Sequence, residues 1–413
     1  MKFVFLLMFN FTSIRRANKF QNMTNNRNTM STTYLDPISV PKLELSLQFN
    51  RATIEENSGQ IIETDLYAEI DQNYRHQMAI NTFTSTKINK SIEIVTIEKR
   101  TDVTMNRKNV GIELEERVVY DILSRGYEHV MITIIQTRND LERLVERKPD
   151  LVFSGIKYFN FNDCVDNQSE EIWLSNYLDK HGISYISSNK EALNNEYNKE
   201  NAKHIIQQAK ISTAKFFTTQ PDENMTEESI DIEYPLFLKP ITGGDSRGID
   251  KDSLVFNFES FKKKVLDIYE HQNSRTMVET YLSGKEYSVG IIENRSKGTL
   301  RAMPIEIIAC KNKNGHRILD YNVKKNDTEK VIAVTDKKIH DALSSLAKDA
   351  FRALSGKSIG RIDIKMDYNG IPNFIEANFM PGLRRGYFYQ GFYLNENMTH
   401  DEMILAIADA ALS

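Results

Sequence analysis

The stretch Gly360–Gly382, GRIDIKMDYNGIPNFIEANFMPG, reads as two short strands joined at Asn369–Gly370. Asn-Gly is the strongest two-residue hairpin signal, because a type I′ turn needs positive φ at both central positions. Pairing outward from that turn sets Tyr368 against Ile371, Asp363 against Glu376 and Arg361 against Asn378. Side chains alternate along a strand, so Ile362, Ile364 and Met366 fill the opposite, core-facing side. Like charges directly across a strand pair destabilise it. Two carboxylates so placed are tolerable with a cation between them, and acidic oxygens plus an amide oxygen suit Mg²⁺. Taken alone, the same residues also fit a solvated hairpin with a surface network of Arg361, Asp363 and Glu376. The FMPG that follows ends the strand in a Pro-Gly turn and leaves backbone N–H groups free at a cleft edge. Pro372 has no N–H to donate, so the pairing is least secured at the turn end.

Two further stretches carry chemistry. In FLKPITGGDSRGI, Lys239 ends an apolar strand and the loop after it holds Gly243, Gly244, Ser246 and Gly248. Backbone N–H groups of such loops can approach phosphate oxygens, which a lysine neutralises. The lysine precedes the glycines, so this is not a Walker loop. In VETYLSGKEYSV, Glu279 and Glu286 flank a turn containing Gly284; each alone also fits a solvated turn charge.

From Ile92 onward, strand and helix patterns alternate. IEIVTI, HVMITIIQ, DLVFSG and ISYIS read as strands. The segments at 111–127, 138–149 and 169–182 between them read as helices. That order predicts a parallel sheet covered by helices, an α/β arrangement. Ser187 and Ser188 are N-cap candidates for one long helix over 190–210. The remaining pattern predicts a helix at 258–272, strands at 275–282, 284–294 and 299–308, a loop over 310–327, and helices at 338–354 and 400–412. No internal repeat is present.

The 413 residues allow two or three compact units. A net charge of -4 argues against nucleic acid as a main partner. Cys164 and Cys310 lie far apart and show no metal-type spacing, which fits a reducing compartment. MKFVFLLMF is too short an apolar run to span a bilayer, and no later segment is apolar enough. Residues 1–35 hold no acidic residue but several basic ones, the pattern of an organellar transit peptide; translation from Met23 or Met30 is the plainer alternative, with a cytoplasmic location. Residues 20–35 have a disordered composition, and 36–90 show weak alternation only.

From about Ile92 to the C-terminus, and most strongly from Lys199 onward, the chain resembles the ATP-grasp superfamily, and within it the D-alanine–D-alanine ligase family. The order of parts carries the resemblance: a lysine helix, a K-P loop with glycines, V-E-x-x-L-x-G-x-E, a loop ending in lysine, R-x-D, then E-x-N-x-x-P-G. The resemblance implies an ATP-grasp fold, α+β in its catalytic part, behind an N-terminal parallel α/β (pre-ATP-grasp) domain. The expected divisions are an extension at 1–90, the pre-ATP-grasp domain at 91–188, a lid subdomain at 189–290 and a catalytic subdomain at 291–413.

By the same resemblance, Lys199, Lys239 and Lys324 would contact ATP phosphates, with Gly243, Gly244, Ser246 and Gly248 as a flexible cover. Glu279 and the Leu282 backbone would hold adenine, and Glu286 the ribose. Asp363, Glu376 and Asn378 would bind two Mg²⁺ ions, for which Mn²⁺ can substitute. Arg361 and the Gly382 N–H would stabilise the transferring phosphoryl group and the tetrahedral intermediate. The implied reaction joins a carboxylate to an amine, both small molecules, with neither nucleic acid nor membrane as partner; a homodimer is implied as well. The other reading is an inactive ATP-binding regulatory or scaffold protein, against which the retained Arg361 and metal ligands argue.

The sequence departs from the family at Asp245, Arg247 and Lys325, and most after PG. There LRRGYFYQGF puts Tyr387 where a serine would hold the second substrate's carboxylate. Arg384 and Arg385 suit an acidic substrate or plain surface charge. Tyr387, Phe388, Tyr389 and Phe392 suit a pocket wall or packing under the last helix. DVTMNRKN stands where the family has a Gly-rich motif.

Overall fold

The structure, a computed structural model, describes residues 86–98, 114–161, 170–223, 226–244, 246–311, 315–326 and 328–413. The readings made for residues 1–85, for 102–109, and for Cys164, Asp245 and the Lys325 side chain lie outside the described residues. By its contacts the chain divides after Thr82, and the unit Phe83–Ser413 holds everything described below.

The first body is built from β1 (Ile88–Thr96), α1 (Glu116–Gly126), β2 (Tyr127–Ile134), α2 (Arg138–Arg147), β3 (Leu151–Ser154), β4 (Tyr158–Phe161), β5 (Glu170–Trp173), α3 (Leu174–Lys180), β6 (Ser184–Tyr185), α4 (Lys190–Tyr197) and α5 (Lys199–Gln208). Strands β2-β1-β3-β6 form the expected parallel sheet. α2 begins where Thr137 and Asp140 form a capping box, which satisfies two otherwise orphaned N–H donors.

Two expectations in this body need correction. Residues 169–182 are not one helix: Glu170–Trp173 is extended because it pairs with Tyr158–Phe161, and only Leu174–Lys180 is helical. The long helix predicted over 190–210 is two helices, and Asn189, not Ser187 or Ser188, caps the first through Ala192 N at 3.0 Å. Ser188 Oγ instead bonds the Lys357 backbone. The break falls at Asn198, which is extended and caps α5. The Lys199 N–H that would have continued the helix donates to Ile241 O at 2.9 Å. A strand-like tie to the glycine loop thus outcompetes one helical turn and fixes where Lys199 points.

The second body is an antiparallel sheet, ordered β7-β10-β8-β9, from β7 (Phe216–Thr219), β8 (Leu236–Pro240), β9 (Leu254–Val255) and β10 (Thr276–Thr280). It is covered by α6 (Phe258–Gln272), which Asn257 caps. The third body is an antiparallel sheet, ordered β13-β12-β11-β14-β15. Its elements are β11 (Glu286–Asn294), β12 (Thr299–Ile308), α7 (Tyr321–Asn326), β13 (Lys330–Ala333), α8 (Lys337–Ala353), β14 (Ile359–Met366), β15 (Pro372–Asn378), α9 (Tyr387–Glu396) and α10 (His400–Leu412). α7 lies inside the predicted 310–327 loop, and α9 was not anticipated. α9 buries Phe388 and Phe392, so these two aromatics pack into the core.

The hairpin β14–β15 has Arg361 opposite Asn378 and Asp363 opposite Glu376, as the outward count gives. The turn differs. Gly370 has φ 79°, whereas Asn369 is not among the positive-φ residues, so the turn is not type I′. Asp367 N donates to Ile371 O, and the Asp367 carboxylate accepts from Asn369 N and Ile371 N. This longer loop shifts the pairing by one, to Ile364 opposite Phe374 and Met366 opposite Pro372. A bulge between Asp363 and Ile364 restores the count at the charged pairs. Phe374 thereby joins Ile362 and Ile364 in the core, all three fully buried.

Candidate active site

The end of β8, the start of α5 and the middle of β10 meet in a buried charge cluster. Lys203, one helical turn after Lys199, pairs with one oxygen of Glu279, and Lys239 Nζ lies 2.7 Å from the other. All three are within the core. Burial opposes ionisation of Glu279, but the two ammonium groups outweigh it and hold the carboxyl at about 2. Burial, partly countered by Glu279, brings Lys203 down to about 8. Lys199 Nζ donates to Gly243 O at 2.5 Å. Burial lowers its pKa against the pull of Glu376, which places it within the field of the hairpin.

The loop after β8 needs its glycines unequally. Gly248 has φ 76°, and a Cβ there would lie 2.6 Å from Pro240 Cγ. Gly243 has φ 95° with open space around it, and Gly244 is also open. Ser246 is buried with φ 54°, while Arg247 is exposed. Positive φ turns successive N–H groups to one side, a geometry that suits anions.

Across the cleft, Leu282 is buried and Gly284 N donates to Met366 O at 2.9 Å, joining the VETYLSG turn to the hairpin. Glu286 accepts from Lys365 Nζ at 2.8 Å. Lys365 also lies 5.7 Å from the Tyr281 ring centre.

On the hairpin, Arg361 grips Asp363 with two bonds, Nε to Oδ1 and Nη2 to Oδ2, each 3.0 Å. Ser288 Oγ on β11 donates to Asp363 Oδ1 at 2.7 Å. Burial works against the Asp363 charge, yet Arg361 and Lys324 outweigh it and keep the carboxyl below the usual carboxylate range. Glu376 makes no hydrogen bond or ion pair among the described residues, and Asn378 Oδ1 accepts from Met380 N at 3.1 Å. Among the described residues no group of three or more His, Cys, Asp or Glu could hold a metal by itself. An ionised carboxylate, an uncommitted one and an amide oxygen fit a hard cation that completes its shell with phosphate oxygens and water.

A further carboxylate, Glu196 on α4, reaches the same place. It accepts from Phe379 N at 2.7 Å and faces Lys157 at 3.7 Å. Burial raises its pKa, against Lys157 first and with Arg361 and Glu376 also acting on it.

Past the hairpin, Gly382 is exposed with open space at its Cα. Tyr387 opens α9 with its ring 5.8 Å from the Arg361 guanidinium, and its hydroxyl donates to Glu329. Burial, then that bond, pushes the Tyr387 phenol up. Arg384 is turned away, pairing with Glu115 at 3.1 Å where both are exposed; Arg385 is exposed beside it.

The predicted residues Lys199, Lys239, Glu279, Glu376, Asp363 and Arg361 thus share one electrostatic neighbourhood. Sequence reading missed Lys203, Ser288, Lys365, Glu196 and Glu329. Lys203 had a signal, since i and i+4 share a helix face. Ser288 and Lys365 follow only from the β11–β14 register, in which Ser288 faces Asp363 and Glu286 faces Lys365. Glu196 and Glu329 carried none.

Known proteins share both the sequence pattern and this arrangement of sheets. A family model described as the D-ala D-ala ligase C-terminus matches residues 205–408. D-alanine–D-alanine ligase A of Bacillus cereus is 24% identical over 281 residues, 67% of this chain and 85% of its own length. The D-alanine–D-alanine ligase of Aquifex aeolicus is 28% identical over 246 residues, 58% and 75% respectively. Among solved structures, D-alanine–D-alanine ligase from Bacillus anthracis complexed with ATP aligns with a TM-score of 0.53 at 16% identity, covering 78% of this chain and 97% of that one. VanG D-Ala:D-Ser ligase from Enterococcus faecalis aligns at 0.53 and 16%, covering 78% and 100%.

Proposed function

We propose that the chain, which resembles the D-alanine–D-alanine ligases over residues 205–408 and shares their fold, is an ATP-dependent ligase joining a small-molecule carboxylate to an amine through an acylphosphate. The observation that carries the reading is the hairpin face. Arg361 is locked on Asp363 by two bonds while Glu376, directly opposite, stays uncommitted among the described residues. A scaffold that only bound nucleotide has no use for a buried arginine beside the residues that would hold the metal.

In this reading Lys199 and Lys239 neutralise the ATP phosphates, Lys324 approaches them from the second loop, and the Gly243–Gly248 backbone covers them. Glu279 and the Leu282 backbone face the adenine, and Glu286 the ribose. Asp363, Glu376 and Asn378 hold Mg²⁺, which when bound supplies charge neutralisation on the transferring phosphoryl group. Arg361 and the Gly382 N–H donate to the oxygen on which charge develops, and such a donor is typically worth about 3–4 kcal/mol. The acylphosphate hydrolyses readily, so the glycine loop has to exclude water.

The proposed domain scheme is a pre-ATP-grasp domain at 91–188, a lid subdomain at 189–290 and a catalytic subdomain at 291–413. A cytoplasmic location and a homodimer belong to the same proposal. Among the described residues no helix is long and apolar enough to cross a membrane.

The test is ADP release from ATP and Mg²⁺ with a mixed amino-acid pool. Well-folded protein that releases no amino-acid-dependent ADP would sink the ligase reading. Glu376→Gln should lower turnover by about 100-fold or more with an unchanged melting temperature. Undiminished turnover would show that the hairpin is not the metal-binding face.

A further inference from the structure

At the acceptor end of the site, arginines are already bonded to carboxylates. Arg361 is committed to Asp363 through two hydrogen bonds. Lys324 acts on that same carboxylate. Arg384 is drawn off to Glu115. What faces this end instead is a phenol and a carboxylate. Tyr387, stacked beneath Arg361, donates its hydroxyl to Glu329 Oε1. The other oxygen, Glu329 Oε2, is buried and has no hydrogen-bond partner among the described residues.

A buried carboxylate oxygen without a donor is costly, more so than a neutral group in the same position. Such an oxygen is satisfied when a donor arrives with a ligand. Its place fixes which ligand: Glu329 stands one tyrosine side chain away from Arg361, the group aimed at the reacting carbonyl. A substrate carboxylate here would meet the Glu329 carboxylate and be repelled by it. An ammonium would complete the unmade bond with charge assistance.

We propose that Glu329 is a specificity-determining residue and that the acceptor is an amine with a second, cationic amino group, a diamine, whose distal ammonium docks on Glu329 Oε2. This rests on the ligase reading above. The near amine, neutral, attacks the acyl carbon held at Arg361. A C–N bond forms, the C–O bond to phosphate breaks with its electron pair leaving on phosphate, and nitrogen releases one proton to the departing phosphate.

The experiment is a competition. Equal amounts of ¹⁵N-labelled putrescine, n-butylamine and alanine are added with ATP and Mg²⁺ to an unlabelled pool of amino acids in both configurations. Labelled amides are then counted by mass spectrometry for wild type and Glu329→Gln. Glutamine keeps the shape and can still accept from Tyr387, but lacks the charge. Wild type should favour putrescine over n-butylamine by about tenfold or more, and Glu329→Gln should bring that ratio to about one. A purely structural role would lower all products together and leave the ratio in place, which overturns the proposal. Labelled product mainly from alanine overturns it too, while leaving the ligase reading intact. No labelled amide and no ADP with any acceptor overturns both.

Discussion

Glu279 shows how much one buried residue can hold. An ordinary glutamate carboxyl titrates at 4.5; that of Glu279 titrates at about 2 in the fold, where burial is outweighed by Lys203 and Lys239. A depressed folded value means that the stabilisation is full above 4.5 and is lost as pH falls through about 2. The shift corresponds to roughly 3 kcal/mol. Lys203, brought down to about 8, has the same sign: its favourable contribution is present above 10.5 and lost as pH falls through about 8, so at neutral pH it is charged against the cost of burial, with Glu279 as its countercharge. Glu279→Gln should therefore destabilise the protein by roughly 3–5 kcal/mol at pH 7, because it strands two buried ammonium groups. Thermal unfolding of variant and wild type should converge as pH is lowered from 4.5. A constant gap across that range would mean that the ion pairs do not set the stability of this corner. The motif VETYL marked Glu279 as important, but nothing in the sequence showed that its side chain is committed to two lysines.

Among the elements, the tie between the VETYLSG turn and the hairpin is the tightest. A Cβ on Gly284 would lie 2.6 Å from Met366 O and 2.7 Å from Asp367 O, backbone atoms that cannot swing away. Gly284→Ala should cost about 1–3 kcal/mol by overpacking and weaken ATP binding, because Leu282 and Glu286 flank the displaced turn. Gly244→Ala, in open space, should leave the melting temperature unchanged. Equal melting temperatures for both variants would refute the argument. The hairpin also marks what could be read in advance. The pairing of Asp363 with Glu376 was legible because polar and apolar residues alternate on both strands. The longer turn was not, and the count came out right only because the bulge offsets it. Helix boundaries failed where tertiary bonds decided them. Asn198 breaks α4 from α5 because Lys199 N finds Ile241 O, and Glu170–Trp173 is a strand because β4 lies beside it.

The three bodies do not share their interiors equally. One core joins the parallel sheet to the five-stranded antiparallel sheet, with Ile92 and Phe153 in the same cluster as Val289, Ile362 and Phe374. α10 fastens that union. Met403, Ile404 and Ile407 enter the shared core, Tyr127 donates to Asp409, and Arg125 pairs with Asp401 at 2.8 Å. The middle sheet has a core of its own, from Leu236, Leu238, Val255, Phe261, Val265, Ile268 and Val278. Periodicity could predict each of these elements, but not which cores would fuse, since fusion depends on contacts far apart in sequence such as Tyr127 with Asp409. A sheet with a separate core can move as a body at little cost, whereas sheets that share one cannot. At the site, Lys239 at the end of β8 and Glu376 on β15 both act on Lys199 at the start of α5. In the proposed site a bound polyphosphate would add bonds to Lys239 and the glycine loop of the middle sheet. Hydrogen exchange with a non-hydrolysable ATP analogue and Mg²⁺ should therefore slow most over residues 216–280 and least over β1 and β3. Protection spread evenly over all three sheets, or greatest in the parallel one, would mean that the middle sheet is not the element that closes on nucleotide.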